Sequence, residues 1–426
     1  MMNILIALIA FQPLQVEETI LDNGLKVLIY EDHFAPVVSV QVHYRVGAYN
    51  EVLGITGISH LLEHMAFKGT TKIGPKEYNK IIERAGGEEN AFTSTHRTVY
   101  FANLSEDRYE IELELEADRM QNLTLAQKEF EPEKGVVMEE RRLGENDPYS
   151  SFFEQLDFVS YSYHPYRRPV IGFMSDLEKI SRDDVYNYYR KFYNPANAVV
   201  IVAGSVDPVD ALKKVKKHFG KIPGRKVEEP VYAEPPQHGE RRFILKREVH
   251  LPALAIQYHT VPANNRSKYA LDLISMILSN GMSSRFQMKI VREKGVAVEA
   301  NVYSSNTKYG GSFTVFAIPQ VGVDIETLER EVLNELDMLK SVYVTDDELT
   351  KAKNQLIART VYRLDSSSWM GFTIGWWEIE GGGWRNFNFY LDEINNIDKE
   401  AILSTAKEFF TEDNRTVGYL LPKEEK

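Results

Sequence analysis

The chain has 426 residues, 43% of them hydrophobic and 26% charged, which supports a large core divided into two or three domains rather than one. Its formal net charge of −12 argues against nucleic acid as a partner, because that would require a basic face. There is no cysteine, so disulfides and thiolate metal sites are excluded, and any metal must sit on histidine and carboxylate.

In chain order, the opening "MMNILIALIAF" is an apolar run too short to span a bilayer with ease. We read residues 1–15 as an export-type apolar segment in preference to a buried first strand, because regular strand patterning begins only near Val16. No lysine or arginine precedes the run. A periplasmic or exported location is the expectation, over a cytoplasmic one. "ETILDNGLKVLIYED" places two apolar runs around Asp22-Asn23-Gly24 and predicts a hairpin, and "VVSVQVHYRVG" alternates as a third strand. "GISHLLEHMAFKGT" predicts a helix with Thr56 as N-cap and Gly69 as stop. "PKEYNKIIERAGG" is a second helix, "ENAFTSTHRTVYFANL" reads as one strand, and "EDRYEIELELEADRMQN" as a long amphipathic helix. Another helix begins at "EPEKGVVMEERRLGEND". "SRDDVYNYYRKFY", "AVVIVAGSV" and "DPVDALKKVKKHFGKI" follow as helix, buried strand and helix.

"PGRKVEEPVYAEPPQHGERR" carries four prolines without periodicity and reads as a linker. Beyond it the order starts again: strand "HLPALAIQYHTV", helices "SKYALDLISMILSN" and "SSRFQMKIVREKG", strands "VAVEANVYSS" and "GSFTVFAI", and helix "DIETLEREVLNELDMLK". The terminal "KEAILSTAKEFFTEDNRTVGYLLP" echoes "DDVYNYYRKFYNPANAVVIVAG". The fold class is therefore α+β, as two tandem similar domains over 16–222 and 241–426 joined by a Pro-rich linker over 223–240. Without a regular βαβ rhythm, each sheet is expected to be mixed or antiparallel under a cover of helices. Gly381-Gly382-Gly383 has no following lysine and is a connection, not a phosphate loop.

The chemistry concentrates in His60, Glu63 and His64. Residues four apart on a helix share a face, so both imidazoles can direct a ring nitrogen at one ion, with Glu63 bordering that face. Two neutral imidazoles suit zinc, and a carboxylate that is not a ligand can take a proton from a water there. The spacing is H-x-x-E-H, the inverzincin order. A catalytic zinc wants a third protein ligand and an open position. The helix around Glu133, Glu139 and Glu140 offers it. Glu133 and Glu140 lie two turns apart on one face, and Glu139 lies about 100° from Glu140. One carboxylate of the 133/140 pair can hold the ion while the other orients a histidine or the water. The spacing alone does not choose between Glu139 and Glu140.

"GISHLLEHMAFKGT", "GGEENAFTSTHRTVYF" and "EPEKGVVMEERRLGEND", with "HPYRRPVIG", "FYNPANAVVIVAG" and "GMSSRFQMKIVREKG", resemble the insulinase/pitrilysin zinc peptidases over nearly the whole chain. The likeness is to their short two-domain branch, similar to the mitochondrial processing peptidase β subunit and its bacterial relatives. The resemblance implies one Zn2+ per chain on His60, His64 and Glu140, with Glu63 as general base and Glu133 supporting the ligands from behind. It implies peptide-bond hydrolysis in a clamshell chamber of four such domains, hence a dimer of this chain with a second one. It also implies that Asn90, Ala91, Phe92 and Thr93 form a sheet edge on which an extended peptide adds as a strand. His96, close by, is not expected to be a ligand. In the second domain, Arg292 matches the family's substrate-contacting arginine, while Val298 stands where relatives have tyrosine and cannot donate a hydrogen bond. A heterodimer with a paralogous chain that supplies the missing pair is therefore expected over a homodimer using Arg292 alone or with Tyr303 or Tyr309. The alternative function is a non-catalytic scaffold or peptide-binding subunit.

Overall fold

A computed structural model describes residues 13–423. The apolar run read as an export segment falls outside the described residues up to residue 12. Among the described residues, no helix is long and apolar enough to cross a membrane.

The first half runs β1 (Val16–Ile20), β2 (Lys26–Glu31), β3 (Val37–Tyr44), α1 (Ile58–Met65), α2 (Glu77–Arg84), β4 (Glu88–Thr93) and β5 (Thr98–Ser105). It continues with α3 (Glu110–Asn122), α4 (Gln127–Asn146), α5 (Pro148–Ser160), α6 (Met174–Leu177), α7 (Arg182–Phe192), β6 (Ala198–Gly204) and α8 (Pro208–Phe219). No helix or strand occupies the stretch between Phe219 and Arg241. The second half runs β7 (Arg241–Arg247), β8 (Ala253–Thr260), α9 (Ser267–Ser279), a π-helical segment (Phe286–Glu293), β9 (Ala297–Asn306) and β10 (Gly311–Pro319). It closes with α10 (Ile325–Ser341), α11 (Asp346–Arg363), α12 (Ser367–Ile379), α13 (Phe387–Asn396), α14 (Lys399–Phe409) and β11 (Arg415–Pro422).

The six-stranded sheet has the order β1-β2-β6-β3-β5-β4, and the five-stranded sheet the order β7-β11-β8-β10-β9. Each has a single parallel pair, β2 with β6 and β7 with β11, with all other neighbours antiparallel. Aligning those parallel pairs superimposes β2 on β7, β6 on β11, β3 on β8, β5 on β10 and β4 on β9, so the second sheet repeats the first without β1. The duplication read from the sequence is thus present in strand order, and both sheets are mixed, as expected.

Three local readings change. The stretch from Glu88 to Ser105 is two strands, not one: Ser94 N–H donates to Arg97 O at 2.8 Å and turns the chain. That turn carries no Gly, Pro or Asn and only Ser94 as a turn-type residue, so the punctuation is weak. Strand β7 and helix α5 were not anticipated. Helix α4 starts at Gln127 and carries Pro132 inside it, so the proline does not mark its beginning.

One face of the first sheet packs on α1, α3, α7 and α8 around Val40, Val42, Leu61, Leu62, Leu113 and Val200. The opposite face, with Leu28, Val199 and Ile201, is covered by Met370, Ile374 and Trp377 of α12, a helix from the second half. Reciprocally, Phe152 and Leu156 of α5, from the first half, cover Ala253, Ala255, Phe316 and Leu420 of the second sheet. Each such side chain contributes roughly 1.5–3 kcal/mol on burial, so the exchanged helices tie the halves together. Close approach of α12 depends on two glycines. A Cβ at Gly375 would lie 2.1 Å from His43 Cε1, and one at Gly371 would lie 2.5 Å from Gln41 Nε2.

Candidate metal centre

Helix α1 is started by a carboxylate that the sequence does not point to. Gly57, the N-cap, has φ 87°, and a Cβ there would lie 2.3 Å from Ile171 O. Glu51, six residues back and fully buried, accepts from Gly57 N–H at 2.8 Å and Ser59 N–H at 2.9 Å. These two bonds satisfy backbone donors that the first turn of a helix leaves free, and they fix its pitch. Thr56, expected as the cap, instead donates its hydroxyl to Asp176 Oδ2 at 2.8 Å and accepts from Phe173 N–H at 3.0 Å. It is one residue too early to reach the free N–H groups, and Asp176 takes it.

Ile58, Leu61, Leu62 and Met65 anchor α1 in the core. The period of 3.6 then leaves His60 and His64 on the face toward α4, with ring centroids 4.7 Å apart. Glu140 of α4 completes a group of three donor atoms, all within 4.8 Å of one another. Glu140 Oε2 lies 3.8 Å from His60 Nε2 and 3.6 Å from His64 Nε2. These separations are too long for hydrogen bonds. They are close to the ~3.3 Å edge of a tetrahedron whose ligand bonds are about 2.0–2.1 Å. Glu139 turns away, its carboxylate largely exposed and paired with Arg142 at 3.0 Å. Helical rotation thus separates the two glutamates that spacing alone left open.

Glu133 sits behind the cluster. Its Oε1 accepts from His64 Nδ1 at 2.9 Å, and its Oε2 pairs with Lys68 Nζ at 2.5 Å. Burial pushes the Glu133 carboxyl up, but these two partners outweigh it and hold it below its usual range. The hydrogen bond assigns the His64 proton to Nδ1 and leaves Nε2 as a lone pair facing Glu140. Burial brings His60 down to about 4, with His64 adding to the effect, so its imidazole is neutral at pH 7. Its Nδ1 is buried without a partner. For His64, burial pulls down, but the Glu133 bond and the carboxylates of Glu140, Glu133 and Glu63 raise it on balance. Two imidazole nitrogens and one carboxylate oxygen around a common point form a donor set that fits zinc.

Glu63 is 9% exposed, and its Oε2 accepts from Thr93 Oγ1 at 2.5 Å. Burial is the main reason its carboxyl is raised above the usual range; Thr93 and His64 oppose this only in part. Thr93 belongs to β4, which pairs only with β5 and leaves its outer side unpaired by any strand among the described residues. Asn90 is exposed on that edge, Ala91 packs on the core, and Phe92 points to the face opposite Thr93, where it meets Phe372 at 5.7 Å. Sequence reasoning put Thr93 among substrate contacts; the structure adds its bond to Glu63. Lys68, Glu51 and Asp176 were missed, since each acts through contacts that local periodicity does not encode.

Among the described residues, none from the second half makes a hydrogen bond or ion pair with His60, Glu63, His64 or Glu140. Arg292 is exposed, lies 3.9 Å from Met288 Sδ, and makes no hydrogen bond or ion pair with the residues above. Val298 is exposed, as is Tyr303. Tyr309 stacks on Tyr49 at 4.9 Å, and His96 Nε2 pairs with Tyr166 Oη at 2.7 Å, away from the donor cluster.

Known proteins resemble the chain in sequence and in fold. The family model described as Insulinase (Peptidase family M16) matches residues 26–172, and that described as Peptidase M16 inactive domain matches residues 179–356. The chain is 32% identical over 412 residues to the zinc protease PqqE of Helicobacter pylori, covering 95% of this chain and 93% of that protein. A crystal structure of a protease from Helicobacter pylori superimposes with a TM-score of 0.92 at 32% identity, over 96% of this chain and 100% of that one. The periplasmic protease PqqL from Escherichia coli shares the fold, with a TM-score of 0.82 at 17% identity, over 97% of this chain but 48% of that longer one. Identity at that level across nearly the full length of both chains, with a family model matched in each half, makes this chain a member of the M16 (insulinase) peptidase family.

Proposed function

We propose that the chain is a zinc-dependent peptidase that hydrolyses bonds in extended or unfolded peptides. The observation that carries this reading is the convergence of His60, His64 and Glu140 within 4.8 Å beside the buried Glu63. His60 and His64 through Nε2 and Glu140 through Oε2 are the groups that would hold the ion. When bound, zinc supplies Lewis acidity to a peptide carbonyl and to a water at this position. Glu63 takes a proton from the attacking water and returns it to the leaving amine. Thr93 holds one Glu63 oxygen in place, so the other is aimed consistently. The free edge of β4 orders an extended peptide by backbone hydrogen bonds, which makes selection by sequence weak and selection by unfoldedness strong.

The working unit in this proposal is a dimer, with a paralogous chain as the favoured partner. Arg292 makes no hydrogen bond or ion pair with the centre and Val298 has no polar group, so a second chain completes the substrate carbonyl's surroundings in this reading. That this fold accounts for 48% of a longer relative supports a two-copy arrangement. The same observation supports the second reading, a peptide-binding or scaffold subunit without turnover. The test is mass spectrometry of cleavage products from a peptide library, using the chain alone and with its paralogue, zinc-loaded and chelated. Chelator-sensitive cleavage supports the peptidase; metal-loaded chain that binds peptides without products, with or without the paralogue, overturns it.

A further inference from the structure

A cavity of about 470 Å3 lies in the second half, between α9, α11 and α12, with Arg97 of the first half at its border. Three of the chain's four tryptophans, Trp369, Trp376 and Trp377, line it, together with Phe372 and Tyr390. Its charged lining is only partly matched. Lys268 is only 2% exposed, yet its Nζ forms no hydrogen bond or ion pair among the described residues and lies 3.7 Å from the Trp377 ring centroid. Arg363, exposed at the rim, has only the Trp369 ring beside it, at 5.9 Å. Arg97 also borders the cavity, but Glu380 matches its charge at 3.2 Å. The one lining carboxylate, Asp272, accepts from Ser304 Oγ at 3.1 Å, Asn306 Nδ2 at 3.3 Å and Tyr390 Oη at 3.3 Å and also attracts Lys268 without bonding to it, which leaves the Arg363 charge unmatched. The Asn306 bond orients that amide and leaves its Oδ1 buried and unpaired.

One arginine with no charged partner, a buried lysine with no hydrogen bond whose only nearby counter-charge is Asp272, one free carbonyl-type acceptor and aromatic walls describe a ligand with a carboxylate, an N–H and a large apolar group. A cationic ligand would find the rings but meet Lys268 and Arg363. We infer that this cavity binds the C-terminal residue of an oligopeptide. Its α-carboxylate goes to Lys268 and Arg363, its last peptide N–H to Asn306 Oδ1, and an aromatic or large aliphatic side chain to the tryptophans. This deepens the peptidase reading and rests on it for the class of ligand. The site is coupled to β4 through Phe372, which touches Phe92 at 5.7 Å and Phe101 at 4.8 Å. A peptide laid along β4 and anchored here by its end would be an oligopeptide with a free C-terminus rather than an internal loop of a protein.

The test is calorimetry on the zinc-loaded Glu63→Gln chain with an N-acetylated hexapeptide ending in phenylalanine, as free acid and as amide. The acid is expected to bind about tenfold tighter, the size of one charge-assisted hydrogen bond. Arg363→Gln, at an exposed position, and Lys268→Met are each expected to lose most of that ratio while still binding the amide. Equal affinity for acid and amide in the parent, or a ratio that survives both substitutions, overturns the subsite. Cleavage by the zinc-loaded wild-type chain is scored separately. Turnover with no acid preference removes the subsite alone, and acid preference without turnover keeps the subsite and removes the peptidase reading.

Discussion

Glu133 Oε1 accepts a hydrogen bond from His64 Nδ1 at 2.9 Å, across 69 residues of chain, and this contact decides which histidine nitrogen faces Glu140. Removing it in Glu133→Ala frees the ring to rotate or change tautomer and leaves Lys68 without its partner. Zinc affinity is expected to fall roughly 10–100-fold, as for other supporting residues of metal sites. Competition with a chromophoric chelator measures it; unchanged affinity would show that the bond does not organise the ligand.

Glu63→Gln removes the group that carries the proton while keeping its shape and its bond to Thr93. Zinc content is expected to stay at the wild-type level and turnover to fall by roughly 10²–10⁴-fold. Metal analysis alongside a peptidase assay checks both halves of this expectation, and full activity in the variant removes Glu63 as the base.

Glu51 ties the start of α1 to pH. Burial pushes its carboxyl up from the usual 4.5 to about 7, against the pull of the Ser59 and Gly57 N–H groups. Between those two values the folded chain holds a proton that the unfolded chain has lost. Its contribution to stability therefore falls as pH rises through the window, by about 3 kcal/mol once the pH exceeds 7. Gln at this position does not titrate. The stability difference between wild type and Glu51→Gln is expected to move against the wild type from pH 5 to pH 8. Hydrogen exchange of the α1 amides at both pH values reads it, and a pH-independent difference contradicts it.

Gly375→Ala tests the helix exchange. The new methyl would collide with the His43 ring, 2.1 Å away, and lift α12 off the first sheet. The expected cost is about 1–3 kcal/mol, seen as a lower midpoint in thermal unfolding. A wild-type midpoint would mean that α12 is not held closely there.

The parts legible in the sequence are those with local periodicity. H-x-x-E-H on an apolar helix and two glutamates two turns apart are patterns within one element, and the structure brings His60, His64 and Glu140 together from them. Rotation on α4 then separated Glu139 from Glu140, which spacing left undecided. The features that escaped depend on contacts across elements. Glu51 caps α1 through a turn and a glycine of positive φ, while Thr56 carried the more obvious capping side chain. The β4–β5 hairpin turns through Ser94 to Arg97 with serine as its one turn-type residue and no Gly, Pro, Asn or Asp. Helices α5 and α12 have no counterpart among the elements read from the sequence, and nothing in their composition says that each covers the other half's sheet.

The most direct measurement is an anomalous difference map, collected at the zinc absorption edge, from crystals of the full chain grown with zinc. The expected result is one peak per chain within about 2.0–2.2 Å of His60 Nε2, His64 Nε2 and a Glu140 oxygen. An ordered, fully liganded zinc elsewhere, with this trio empty, would contradict it.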